Sequence, residues 1–298
     1  MIRKNLSENA RGCLCMVLSM AGFAMEDMFI KAAAEHMALG VILILFGAGG
    51  MVLFVILAFL DGEPLYHSAI ASRKQLLRSA FEVVGRLFFA LAIILSPLSS
   101  ASAILQATPL VVVLGGVVFF GERVRWQHWC AIALGFFGVL MIVRPEADSF
   151  SLSSLFAVIS TLGFAGRDLA TRAAPPVLTN SQIGIYGFLM LIVSGVILQA
   201  WHGELIDVSA VYRTDAGLKV AGAIVFGVFA YFFLTKAMRT GEISIVAPFR
   251  YVRLIFALVL GIAVFGERPD LFTLSGGLVI VLSGIFLLWT GSNRSLRS

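Results

Sequence analysis

Four stretches of this chain contain no charged residue: Met37 to Leu60, Leu87 to Gly121, Ala173 to Trp201 and Leu271 to Asn293. Each is long enough to cross about 30 Å of hydrocarbon as a helix. A water-soluble fold needs a polar surface that these stretches cannot supply. The composition agrees, with 59% of the 298 residues apolar and 13% charged, against about 25% charged in a typical soluble domain. The sequence therefore predicts an all-α, polytopic membrane protein.

Hydropathy and helix breakers divide the chain into ten expected spans: 12–34, 38–60, 77–96, 100–120, 126–144, 151–172, 180–201, 217–238, 243–265 and 270–291. Ten helices of about 21 residues use roughly 210 residues. That leaves no room for an extramembranous catalytic domain. The basic lead Arg3, Lys4 and Arg11 precedes a run interrupted by Glu26, Asp27 and Lys31 without a small-residue cleavage pattern, so it reads as a retained first span.

The formal net charge of +5 comes from scattered Lys and Arg rather than a basic cluster, so no nucleic-acid partner is expected. Its distribution carries topology instead. With ten spans, Arg3, Lys4, Arg11, Arg73, Lys74, Arg78, Arg123, Arg125, Arg172, Lys236, Arg239, Arg294 and Arg297 fall on the side holding both termini. Arg144, Arg213, Lys219 and Arg268 fall on the other. That imbalance predicts cytoplasmic termini. Cys13, Cys15 and Cys130 lack metal or disulfide spacing, and the four histidines sit at span ends or in loops. No metal, cofactor or catalytic group is expected.

An internal repeat adds the strongest constraint on architecture. Residues 22–34 read GFAMEDMFIKAAA and residues 163–175 read GFAGRDLATRAAP, an offset of 141. A second echo pairs VVFFGERVRWQHW at 117–129 with IAVFGERPDLFTL at 262–274. The chain is thus expected to hold two five-helix units, 1–146 and 147–298. An odd number of spans per unit makes the second enter the membrane from the opposite face. Inverted repeats of this kind are a plan of secondary transporters, with a midplane site exposed alternately.

These features resemble the EamA group of the drug/metabolite transporter superfamily, through the two five-helix halves and the turns Gly121–Arg123 and Gly266–Arg268. The resemblance covers nearly the whole chain. It implies an inner-membrane carrier of a bacterial cell with ten helices, cytoplasmic termini and a central cavity lined mainly by helices 1, 3, 4, 6, 8 and 9. The stretch ISIVAPFRYVRLIFALVLGIAVFGERPD at 243–270, with the paired Asp-x-x-x-Lys/Arg motifs, looks closest to an alphaproteobacterial branch that includes riboflavin transporters and S-adenosylmethionine-uptake-like proteins.

Ionisable groups at membrane depth cost roughly 2.5–3.5 kcal/mol each on insertion scales and usually face a cavity or one another. Here they are Glu26, Asp27 and Lys31 in the first span, Glu82 and Arg86 in the third, Arg167 and Asp168 in the sixth, and Arg250 and Arg253 in the ninth. Phe23, Asp27 and Lys31 form a stripe at i, i+4 and i+8, repeated by Phe164, Asp168 and Arg172. Each acid can pair with the base one turn on, and Lys31 and Arg172 lie near enough to helix ends to snorkel. Glu26 is expected to bridge Arg167 across the halves. Arg86 stands one turn from Glu82, whereas Arg250 and Arg253 find no acid within their own span and need a partner from another helix or from a cargo.

The candidate binding set is Phe23, Asp27, Arg86, Phe89, Gln106, Phe164, Asp168, Tyr231, Arg250, Tyr251 and Arg253. Glu26, Asp27, Glu82, Arg167 and Asp168 are candidates for coupling or for bridging the halves. Arginine donates in a planar fork and stacks on flat rings, and aromatic side chains can stack a heterocycle. Five interior bases against four acids leave a balance of only +1, which suits a polar or zwitterionic small molecule. With the resemblance, the expected cargo is riboflavin, with S-adenosylmethionine, amino acids or drugs as alternatives. An intramembrane enzyme or a channel is the reading from a different class. The remaining partner is the lipid bilayer, and homo-oligomerisation is left open.

Pro109 and Pro248 are expected to permit kinks. Glu122 and Glu267, in the two symmetric turns, read as interfacial caps on the helix that follows each of them.

Overall fold

The computed structural model describes residues 8–95, 104–143, 152–202, 215–265 and 271–292. Among these residues the secondary structure is helical, joined by turns and short irregular connections, with no strand. This is what hydrocarbon demands, because a helix satisfies its backbone hydrogen bonds within its own segment. The helices are α1 (Glu8–Ala34), α2 (Leu39–Leu60), α3 (Arg73–Leu95), α4 (Thr108–Phe120), α5 (Trp126–Val143), α6 (Leu152–Arg172), α7 (Asn180–His202) and α8 (Ala216–Met238). A composite α9 follows, made of an α-turn Ile243–Val246, a 3-10 turn Ala247–Tyr251 and a helix Val252–Phe265, and then α10 (Leu271–Ser292). The second Gly-Glu-Arg turn at 266–268, the residues 100–103 expected to begin the fourth span, the boundary of the halves at 146–147, Arg144, Arg213 and the basic residues of both tails lie outside the described residues.

Among the described residues, four helices, α1, α2, α7 and α8, are long and apolar enough by themselves to cross a membrane. In α3 and α6 the obstacle is charge rather than length. Their interior Arg, Glu and Asp residues lower the hydropathy of otherwise apolar segments of 23 and 21 residues. Exposed apolar side chains such as Phe59, Phe137, Leu278 and Ile285 cover the outer faces of α2, α5 and α10, as a surface in contact with lipid requires.

The principal packing partners are α1 with α8, α2 with α7, α3 with α6 and α5 with α10. Replacing each helix by the one five places away leaves this set unchanged: α1 with α8 becomes α6 with α3, and the other two pairs map onto themselves. The internal sequence repeat is therefore matched by a repeat in packing. The α3–α6 crossing is especially close, since a Cβ on Gly163 would stand 2.6 Å from the backbone nitrogen of Gly85. Ser160 reinforces it by donating to the Gly85 carbonyl at 2.8 Å. This contact brings the charged faces of two helices from different halves together.

Both prolines act through the backbone. Pro109 occupies the first turn of α4, where its missing N–H would be unpaired in any case, so it starts the helix and does not kink it. Pro248 lies in the 3-10 turn that interrupts α9, consistent with the expected irregularity there. At one end of the bundle α1 finishes beside the start of α8, where Asp215 contacts Lys219 at 3.1 Å and His36 at 4.0 Å. The hydrogen bond from Lys219 holds the Asp215 carboxyl below the usual aspartate range. At the opposite end the start of α1, the end of α4 and the start of α9 converge.

Candidate functional site

Glu82 is the centre of the charged interior. Its side chain is fully buried on α3, and both oxygens are occupied. Oε1 lies 3.1 Å from Nη1 of Arg167 on α6 and 4.0 Å from Nε of Arg86. Oε2 accepts from the Tyr231 hydroxyl at 2.7 Å and lies 3.7 Å from Nη2 of Arg78. Arg78 in turn donates to Thr171 Oγ1 at 2.9 Å and also contacts the Tyr231 hydroxyl. One carboxylate thus holds α3, α6 and α8 together. A buried anion is tolerated only when its lone pairs are met by charged or polar donors, and Glu82 meets that condition.

Arg86 leaves Glu82 at long range and turns towards Glu26 on α1, with Nη1 to Oε1 at 3.5 Å. The bridge expected between Glu26 and Arg167 is therefore corrected: Glu26 pairs with Arg86, and Arg167 pairs with Glu82 and Asp168. The reason is rotation about the helix axes, since the α3–α6 crossing brings Arg167 onto Glu82 before it can reach α1. Glu26 Oε2 has no hydrogen-bond partner, and a Cβ on Gly227 would come within 3.2 Å of it. The small residue at 227 makes room for this carboxylate.

Asp168 joins α6 to α9. Its Oδ1 accepts from Arg167 Nε at 2.9 Å, and its Oδ2 contacts Nη1 of Arg250. The expected turn-by-turn pairing with Arg172 is replaced by these two contacts. Asp27, on α1, receives both Nε, at 3.0 Å, and Nη2 of Arg253. The guanidinium of Arg253 also lies 5.2 Å from the centroid of Phe23. Arg250 and Arg253, which lack an acid in their own span, thus take the two duplicated aspartates as partners.

Burial separates these groups sharply. Glu82, Arg78, Asp168 and Arg167 are between 0% and 3% exposed. In the Asp27–Arg253 pair, the side chains are 49% and 22% exposed. Asp27 and Arg253 therefore form an accessible ion pair, one partner from each half of the chain, above a buried charged core.

The aromatic candidates divide in the same way. Phe164 lies under two cations, with Arg167 at 4.8 Å and Arg86 at 5.8 Å from its centroid, and meets Phe89 edge to face at 6.1 Å. Tyr231 is 1% exposed and packs on Phe54 and Phe188. Its ring offers no face to a cargo, and its hydroxyl belongs to the Glu82 group. Tyr251 packs with Val139 of α5 and Ile280 of α10, away from its sequence neighbour Arg250, because adjacent helical residues point about 100° apart. Gln106 is in the turn before α4, half-buried, and is not among the groups that meet around Asp168.

Arg78 was assigned by sequence to the membrane surface and is instead 1% exposed in the interior. The signal was present: Arg78, Glu82 and Arg86 are spaced four apart and share one face of α3. Including it raises the interior bases from five to six against four acids, a balance of +2. Glu122 also departs from expectation. It does not cap the following α5; its two oxygens accept from the backbone N–H groups of Ile243 and Ser244 at 3.1 and 3.2 Å, at the start of α9 in the other half.

The EamA-like transporter family matches residues 10–144 and 151–290. Among curated relatives, an S-adenosylmethionine uptake transporter of Rickettsia felis is 26% identical over 226 residues, covering 75% of this chain and 74% of the relative. A pseudopaline exporter of Pseudomonas aeruginosa is 27% identical over 278 residues, covering 93% and 95%. A riboflavin transporter of Vibrio cholerae is 27% identical over 201 residues, covering 67% and 66%. A solved crystal structure superposes with a TM-score of 0.78 at 14% identity, covering 93% of this chain and 96% of the other. At that identity the superposition supports the fold alone.

Proposed function

Because this chain belongs to the EamA-like transporter family, we propose that it is a ten-span carrier of a bacterial inner membrane that moves a small zwitterionic metabolite by alternating access. Its two inverted halves rock about the charged interior, and both termini lie in the cytoplasm. The observation that carries the cargo class is the accessible Asp27–Arg253 pair, which joins the halves. A cargo bearing a carboxylate and an ammonium group can replace each partner of that pair in turn: its carboxylate takes the fork of Arg253 while its ammonium takes Asp27. Neither protein charge is then left uncompensated at membrane depth, where an unpaired charge is costly. The Asp168–Arg250 pair, deeper and adjoining, extends the same pattern.

S-adenosylmethionine, named for the Rickettsia relatives, carries such an amino-acid head and is the first cargo to test. Riboflavin, the cargo expected from sequence, drops to second because both arginines already have aspartate partners. A neutral imide that engaged arginine would leave the aspartate exposed and unpaired. The stacking of Arg253 on Phe23 still favours a flat ring in this position and keeps riboflavin as the second reading.

Proteoliposome uptake of labelled S-adenosylmethionine tests this directly, with riboflavin and aromatic amino acids as competitors and with or without a proton gradient. Saturable uptake that a plain amino acid inhibits and riboflavin does not supports the zwitterion. Inhibition by riboflavin with no accumulation of the amino-acid cargo reverses the order. A reporter fused after Ser298 should behave as cytoplasmic, and external activity there would refute the ten-span topology.

A further inference from the structure

The short turn after α4 performs a task that neither the charged interior nor the cargo explains. Gly121 takes the left-handed conformation at φ 64°, which a glycine adopts without strain, and this reverses the chain so that Glu122 points back across the end of α4. A Cβ on Gly116 would be 3.6 Å from its Oε2. The carboxylate therefore lies between the last turn of α4 and the first turn of α9. It bonds the Ile243 and Ser244 N–H groups, where the side chain of the preceding Glu242 provides no cap. A carboxylate at this position meets both the unpaired N–H groups and the positive end of the helix dipole.

Two contacts from α1 close the same end. Asn9 Oδ1 accepts from the Glu242 N–H at 2.8 Å, and the Cys13 thiol faces the Ile245 carbonyl at 3.8 Å. The segment so held is joined to the helix bearing Arg253 through the 3-10 turn Ala247–Tyr251, which carries Arg250. A mid-helix 3-10 interruption is a place where a helix can hinge. Within α9, α4 packs chiefly on Ile243–Val246 and on the hinge turn Ala247–Tyr251.

From this we infer that Glu122 is a latch: by gripping the first turn of α9 from the other half of the chain it closes this end of the carrier, and its release is the step that opens it. The inference rests on the transporter reading for its purpose, but the contact itself does not depend on the cargo. The hinge turn carries Arg250, and it lets the first turn of α9 leave Glu122 while Arg253, beyond it, stays engaged with Asp27, so opening this end does not require breaking that ion pair first. Glu122 acts here as a positioning residue and touches no cargo.

The native cysteines supply the test. Cys13 is 3% exposed beneath the latched turn, whereas Cys130 is exposed on α5. In the full-length protein reconstituted in liposomes, alkylation at each cysteine is followed by mass spectrometry without any cargo. Glu122→Ala should label Cys13 faster by roughly tenfold, the population shift expected on losing a charge-assisted cap, while Cys130 labelling stays unchanged. Glu122→Gln, which keeps one acceptor and is the conservative variant should alanine fail to fold, should give an intermediate rate. In uptake assays both variants should change turnover more than the affinity measured by equilibrium binding. Wild-type Cys13 rates in a folded Glu122→Gln protein would overturn the latch, as would an equal rise at Cys130, which would mean general loosening. Failure of the wild type to take up S-adenosylmethionine, with the cysteine result intact, would reject the cargo and leave the latch standing.

Discussion

Glu82 and Asp27 are both carboxylates at membrane depth, both face arginine, and each joins the two halves of the chain. They differ in what surrounds them. Glu82 is enclosed on all sides, shared among Arg78, Arg86, Arg167 and Tyr231, whereas Asp27 meets Arg253 in a half-exposed setting. A group held by four donors cannot exchange partners without leaving several charges stranded. A group in an accessible pair can. Identical chemistry thus serves as a fastener in one place and as an exchangeable contact in the other, and burial makes the difference.

The largest test of this contrast is Glu82→Ala. It removes the carboxylate partner of the buried Arg78 and one of the two acids facing each of Arg86 and Arg167, and removal of one partner from a buried ion group costs about 3–5 kcal/mol. The expected outcome is loss of folded protein or a large fall in the detergent unfolding midpoint. A stable Glu82→Ala protein would show that the buried group is not a fastener.

The second test inverts the readout. Arg253→Ala and Asp27→Asn should each abolish uptake while lowering stability much less than Glu82→Ala, because this pair is partly exposed. Exchanging the pair, with Asp27→Arg and Arg253→Asp together, sharpens it. A pair that only ties α1 to α9 would regain activity in the swapped form. A pair that receives a cargo's head group at fixed positions would not, because the positive and negative sites then point the wrong way.

The smallest expected effect is that of Tyr231→Phe. It preserves the ring against Phe54 and Phe188 and removes only the hydroxyl that donates to Glu82. A loss of about 1–2 kcal/mol, read from the unfolding midpoint, should be accompanied by unchanged cargo affinity. A change in affinity with no change in stability would return Tyr231 to the binding set.

Several of these distinctions could be read before any coordinates. The stripe Phe23–Asp27–Lys31 and its repeat Phe164–Asp168–Arg172 identify the helix faces that carry charge, and the absence of an acid in residues 243–265 shows that Arg250 and Arg253 require a partner from elsewhere. The choice among partners was not readable. Asp27, Asp168 and Glu82 were equivalent candidates by type, and only the rotation of each helix about its axis selects Asp27 for Arg253 and Asp168 for Arg250. Arg78 was misplaced because proximity to a span's end was given more weight than its membership in the Arg78–Glu82–Arg86 face. Glu122 was recognised as a cap, but its helix was not, since the nearest N-terminus along the chain is not the nearest in space.

By itself the sequence determined that this protein is helical, membrane-spanning, duplicated and charged on a few faces, because hydrophobic length, helical period and repetition are local properties of the chain. Only the tertiary structure decided which charges are fasteners and which are accessible. The glycine contact between α3 and α6 brings Glu82 into a closed set of donors, while the approach of α1 to α9 leaves Asp27 and Arg253 partly open. Helix–helix distance and rotation fix those contacts, and neither is encoded in spacing along a single segment.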